Sequence, residues 1–243
     1  MKRIFVPTRD GTDWQRLLAK PTLHWKKGAS AMTAAASWEG ASGELPAEIA
    51  SLLSGTGEPG LIGLSLLAAL PEWQVALPGG ETTSNTDVLA ICRNELGLCI
   101  VAVEAKVLED FGPLLNVKRE GASPNQERRL AYLHELLGVS RFDDAIRYQL
   151  LHRTASALLT ARQFHARCAV MLVHAFGTPA QRRSDFTAFC AAMGSTEVSP
   201  CVWRATLATG PTLYLAWCDG DPKYLATELP RMEIAATSQA QTD

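Results

Sequence analysis

An α/β fold built on one mixed β-sheet flanked by helices is what this sequence predicts. Two observations carry that expectation. Three consecutive strand-like segments occupy residues 73–107, and two of them are continuously apolar, as in strands covered on both faces. A long amphipathic helical pattern, a strand, a helix and a last strand then follow, an order without strict alternation that suits a mixed sheet.

In chain order, residues 3–6 read as a short edge strand stopped by Pro7, and "DWQRLLAK" (13–20) as a helix capped by Thr12 or Asp13. "SAMTAAASWEG" (30–40) is helical, with Ser30 as N-cap and Gly40 as stop. "PAEIASLLSG" (46–55) is a helix with Pro46 in its first turn and Gly55 past its end. "LIGLSLLAALPEW" (61–73) is buried, with helix and strand both open. Strands are expected at 73–80, 87–94 and 97–107, the last two joined through "RNELG" as a hairpin. Helices are expected at 125–138, at 143–164 with Asp143 and Asp144 near its positive end, and at 184–194, and strands at 168–177 and 212–220. A single domain spanning 1–243 is expected, with 237–243 a polar tail.

Composition narrows the function classes. The chain has 243 residues, 47% of them hydrophobic, and a formal net charge of −2, so bulk charge does not make it a polyanion binder. Residues 106–183, however, hold 12 Lys and Arg against 7 Asp and Glu, a local +5. That basic middle suits either a nucleic-acid track or a solvated helical face. The six cysteines include no C-x-x-C pair and fall mostly in apolar runs, as expected of small buried residues in a reducing compartment. With no signal-like N-terminus and no apolar run long enough to span a bilayer, a cytoplasmic protein without a membrane partner is the expectation. The apolar strands and cysteine-rich C-terminal segment permit a homodimer without demanding one.

The stretch "TDVLAICRNELGLCIVAVEAKV" (86–107) carries the chemistry. Pairing the two strands across a turn at 95–96 sets Asp87 opposite Glu104, and Glu104 and Lys106, two apart, project to the same face. Neighbouring carboxylates repel unless a cation neutralises them, and hard oxygens suit Mg²⁺ or Mn²⁺. A lysine beside such a metal positions water or stabilises developing negative charge, the layout phosphodiester hydrolysis requires. The plain alternative is a strand-end ion pair, with Asp87 an ordinary turn residue.

Asp87, a 16-residue spacer and Glu104-Ala-Lys106 at the end of an apolar strand resemble the signature of the PD-(D/E)XK nuclease superfamily. The literal Pro is absent, since Thr86 precedes Asp87. The resemblance implies a restriction-endonuclease-like core over about 30–177 in the order helix, three-stranded meander, helix, strand, with 184–220 as an extension. It implies that Asp87 and Glu104 ligate Mg²⁺ (or Mn²⁺) and that Lys106 assists the attacking water. It further implies a carboxylate from the first core helix, for which Glu39 is best placed and Glu48 second, and a polar residue on the following helix, matched by Gln149 with Arg153 one turn on. "SWE" and "YQLLHRT" are also similar to segments of a bacterial family grouped with the superfamily. The expected activity is metal-dependent hydrolysis of DNA; the alternative is a catalytically silent nucleic-acid-binding or regulatory module. Lys26, Lys27 and Arg153 are the candidate nucleic-acid contacts, because His24-Trp25-Lys26-Lys27 joins an aromatic to basic groups. Alternatively Trp25 packs and the lysines are solvated. His174 reads as a hydrogen-bonded core residue, and His134, His152 and His165 lack metal-ligand spacing.

Overall fold

The computed structural model describes residues 11–80 and 82–232. The expected strand at 3–6 and the polar tail at 237–243 lie outside them. Among the described residues seven strands form one mixed sheet flanked by helices, ordered β1-β2-β3-β4-β7-β6-β5. They are β1 (Ser65–Val75), β2 (Ser84–Asn94), β3 (Gly97–Lys106), β4 (Cys168–Ala175), β5 (Thr196–Ser199), β6 (Val202–Ala205) and β7 (Thr212–Asp219). β1, β2 and β3 form an antiparallel meander, β3–β4–β7 run parallel, and β7–β6–β5 return antiparallel.

The helices are α1 (Pro21–His24), α2 (Ser30–Gly40), α3 (Ala47–Ser54), α4 (Leu115–Arg119), α5 (Pro124–Leu137), α6 (Tyr148–Gln163) and α7 (Ala180–Ala192). On one sheet face Leu89, Ile100, Ala102, Met171 and Leu215 pack with residues of α5, α6 and α7. On the other, Val88, Ala90, Val101, Val103 and Leu172 pack with α2, α3 and Trp14. That double coverage is why β3 and β4 read as unbroken apolar runs.

Several elements depart from expectation for identifiable reasons. The first strand of the meander begins at Ser65, eight residues before the expected start, and runs through Pro71. Proline is tolerated because β1 lies at the sheet edge, where one side needs no ladder donor. Residues 11–17 form a 3-10 turn rather than an α-helix. α2 is capped by Ala29, and the Ser30 hydroxyl instead donates to Glu109 Oε1 at 2.9 Å. The long helix starts at Tyr148, not 143; Asp143 accepts from the amide of Ala145, and Asp144 pairs with Arg119. α7 starts at Ala180, so Ser184 and Asp185 are interior. The short strands β5 and β6 were not expected, four residues being too few for a readable alternation.

The β2–β3 hairpin forms as expected, Asn94 facing Gly97 across a two-residue turn. Gly97 adopts φ 125°, a conformation open to glycine. α5 carries a capping box, in which Ser123 and Gln126 each take the other's backbone amide.

Candidate active site

The β2–β3 register pairs Val88 with Val103, which carries Asp87 alongside Glu104 on the next step. Asp87, Glu104 and Lys106 therefore share the sheet face that α6 covers. The Asp87 carboxylate also ties the two strands together, its Oδ2 accepting from the amide of Ala105 at 2.7 Å. α6 brings Gln149 and Arg153, four residues apart and so on one helix face, over this end of the hairpin.

Glu104 is 3% exposed and Lys106 5%. Charges so deeply buried require partners, and both are fully engaged. Lys106 Nζ donates to Glu104 Oε1 at 2.8 Å and to Gln149 Oε1 at 3.0 Å. Gln149 Nε2 donates to the same Glu104 oxygen at 2.7 Å, and Arg153 Nε to Oε2. Lys106 also lies 5.3 Å from the centre of the Phe111 ring. Arg153 Nη1 reaches on to Ser84 Oγ at 3.1 Å, which stands 2.8 Å from His152 Nδ1.

A cleft of about 470 Å³ opens over this constellation. Asp87, Glu104, Lys106, Gln149 and Arg153 line one side; Leu23, His24, Ser30 and Ala31, from α1 and the start of α2, line the other. Glu72 lines it as well. The β1–β2 register, with Pro71 on Val88 and Trp73 on Thr86, sets Glu72 beside Asp87. Three carboxylates thus cross three adjacent strands in a row: Glu72, Asp87, Glu104. Glu72 adopts φ 53°, a left-handed conformation rare for a residue with a side chain.

Their electrostatics differ. Burial works to raise Glu104, but the guanidinium of Arg153 and the ammonium of Lys106 hold it down at about 2. Burial, and then the charge of Glu104, push Asp87 up to about 7 against the pull of Arg153 and Lys106. Burial, and then Asp87, push Glu72 up to about 8. Among the described residues two cations face the three carboxylates of this row and Glu104 holds both, while Glu109, also lining the cleft, accepts from Ser30 and the amide of Val107. The remaining pair presents hard oxygen donors short of positive charge, and that donor chemistry suits a divalent cation of the Mg²⁺ class. Among the described residues no three His, Cys, Asp or Glu side chains already stand as a metal cage.

The other sequence candidates lie elsewhere. Glu39, at the far end of α2, does not line the cleft; it accepts from Trp14 Nε1 at 3.0 Å. Glu48 is on the opposite sheet face, 3.0 Å from His174 Nε2. Lys26 and Lys27 are exposed, separated from the cleft residue His24 by Trp25, which is buried and donates to Pro230 O at 3.1 Å. Glu72 is the residue that sequence reasoning missed. Its signal, an acid between Pro and Trp closing an apolar run, needed the β1 register to acquire meaning.

The fold and site define a class: a mixed-sheet α/β protein with a carboxylate–lysine cleft at the open end of a hairpin. The chain belongs to the family described as "Domain of unknown function (DUF6946)", whose model matches residues 7–222. Neither a curated protein nor a solved structure matches it. All six cysteines are free, and among the described residues no helix is long and apolar enough to cross a membrane.

Proposed function

We propose that the protein is a metal-dependent nuclease of PD-(D/E)XK type that hydrolyses phosphodiester bonds, with DNA as its substrate. The observation that carries this is the convergence of Asp87, Glu104, Lys106 and Gln149 in one cleft, on one face, at the open end of one hairpin. The order helix, three-stranded meander, helix, strand over α2–β1–β2–β3–α6–β4 supports it, though α3, α4 and α5 are interposed.

In this reading Asp87, Glu104 and Glu72 would hold Mg²⁺ or Mn²⁺, and the ion supplies polarisation of the phosphate and a bound water acidic enough to attack at neutral pH. Glu39 is replaced by Glu72 in that role. Lys106 places a positive charge beside the reacting phosphate, where developing negative charge is stabilised. Gln149 accepts from Lys106 and donates to Glu104, so it fixes the angle between them. Arg153 anchors the second Glu104 oxygen and keeps that carboxylate ionised.

The test is cleavage of a panel of single- and double-stranded DNA and RNA with Mg²⁺ or Mn²⁺. Lys106→Ala and Asp87→Asn are expected to lower the rate about a hundredfold or more. Wild type and both variants behaving alike would sink the assignment. One observation favours a second reading, a binding module without chemistry: Glu104 already has Lys106, Gln149 and Arg153 on its two oxygens. Calorimetric titration with Mn²⁺ separates the two, because a silent module need not take up the ion.

A further inference from the structure

A second pocket, of about 250 Å³, lies beside the cleft, between the β1–β2 loop and helices α4, α5 and α6. We propose that it seats a backbone phosphate of the DNA strand whose neighbouring linkage occupies the cleft; this rests on the nuclease reading above.

The lining supplies cations and no described carboxylate. Lys118, Gln126, Arg129, Tyr148 and His152 face it. Arg129 donates through Nε to Pro78 O and through Nη2 to the carbonyls of Leu77, Gly80 and Thr82, at 2.9–3.3 Å. Those bonds lock the guanidinium to the loop, and among the described residues its hydrogen-bond partners are carbonyl dipoles. Gly79 makes the seating possible: a Cβ there would fall 2.1 Å from Asn125 O. Lys118 Nζ lies 4.9 Å from the centre of the Tyr148 ring. Among the described residues neither Lys118 nor Arg129 pairs with an acid, whereas Lys106 and Arg153 in the cleft both pair with Glu104. Two cations bordering a cavity, neither paired with an acid among the described residues and one of them locked to the loop, favour an anion there in electrostatic terms. Burial, and then Arg153, push His152 down to about 3 against the pull of Glu104, with smaller contributions from Arg129 and Lys118.

Size and connection select the ligand. The volume is below the roughly 300–1,000 Å³ that encloses a whole small ligand, so the pocket suits one group of a larger molecule. Its wall continues into the cleft through Glu104, Arg153, Ser84 and His152, a single chain of hydrogen bonds. Ser84 borders the pocket and its neighbour Asn85 the cleft. A polyanion lying along this path meets both, and a phosphodiester chain has the required repeat of single charges.

The experiment uses a fluorescein-labelled DNA oligonucleotide, read by anisotropy in EDTA, with inorganic phosphate titrated separately by calorimetry. Lys118→Glu is expected to weaken DNA binding at least about tenfold. Lys118→Ala is expected to lower the slope of log K against log salt by about one. Both are expected to leave the Mn²⁺ isotherm and the circular dichroism spectrum unchanged. Lys118→Glu binding DNA as tightly as wild type overturns the proposal, as does wild type binding neither ligand. Lys118-dependent binding of inorganic phosphate without DNA binding overturns the strand assignment in favour of free phosphate. Lys118-dependent DNA binding in a protein that never cleaves supports the pocket and removes the nuclease reading. Cleavage with DNA binding indifferent to Lys118 does the reverse.

Discussion

On each face of the sheet the described residues bury an ionisable cluster, and two of these are built on opposite terms. Behind α2 and α3, Glu48 and the fully buried His174 form a pair closed at one nitrogen, one carboxylate oxygen on Nε2, while Nδ1 is buried without a hydrogen-bond partner among the described residues. Beneath α6, Glu104 gathers an ammonium, an amide and a guanidinium, while Asp87 and Glu72 beside it make no ion pair among the described residues. The Glu104 side opens on a 470 Å³ cleft, which neither Glu48 nor His174 lines. Burial of charge is therefore not itself the mark of a site. The mark is burial left electrostatically incomplete next to accessible space, the condition under which a protein retains unfavourable charge for binding or catalysis.

The sharpest way to break this comparison is to remove Glu104. Glu104→Ala leaves Lys106 and Arg153 buried without their common partner, and losing one member of a buried ion pair costs about 3–5 kcal/mol. A correspondingly large drop in urea-unfolding free energy is expected. A loss under about 1 kcal/mol would mean that water reaches the cluster and that its charges are not held as described.

Asp87→Asn probes the incomplete half. Asn keeps an oxygen for the Ala105 amide but removes the charge between Glu72 and Glu104. In metal-free protein at pH 8 it is expected to raise stability by about 1 kcal/mol, through relief of like-charge repulsion and desolvation, and to abolish any stabilisation by Mn²⁺. A destabilisation of similar size would show that Asp87 is a structural strand tie.

The closed pair gives a pH dependence. The hydrogen bond from His174, opposed by burial, holds Glu48 below the ordinary carboxylate range. A depressed folded-state value adds stability that is present above the unfolded value, near 4.5, and is lost as pH falls through the folded value. Glu48→Gln is expected to cost about 1.5 kcal/mol at neutral pH, as for a hydrogen bond to a charged group. The gap to wild type should close below about pH 4. A gap independent of pH from 7 to 3 would refute the ionised, hydrogen-bonded Glu48.

The Asp87–Glu104–Lys106 face was legible because strand periodicity is exactly two and the hairpin turn pins the register, so spacing alone determines who faces whom. Gln149 and Arg153 were singled out through the PD-(D/E)XK resemblance, the helical pattern alone leaving them equally an ordinary polar face. Glu72 was not, for two physical reasons. Pro71 imitates a strand terminator unless the strand is known to be an edge, and edge position belongs to topology rather than to local sequence. Glu72 itself departs from strand geometry at φ 53°, which no periodic pattern encodes. The start of the long helix failed similarly: Asp143 and Asp144 resemble an N-terminal acidic turn, but their oxygens serve Ala145 and Arg119.

Glu39 gives the smallest expected effect and the most direct comparison. Its residue type and helix match the pattern of the proposed PD-(D/E)XK resemblance, yet it lies nine residues beyond Ser30, roughly 13 Å along the α2 axis from the end that lines the cleft. No single ion can be shared across that gap at ligand distances near 2.0–2.6 Å. Glu39→Gln keeps an acceptor for Trp14 Nε1 and should cost about 1 kcal/mol or less. Mn²⁺ affinity and cleavage are expected to remain within about threefold of wild type, whereas Glu72→Gln lowers Mn²⁺ affinity about tenfold, each measured by calorimetry and a cleavage assay. If Glu39→Gln abolishes activity and Glu72→Gln is harmless, the carboxylate row across β1, β2 and β3 is a structural feature, and the helix, not the edge strand, completes the site.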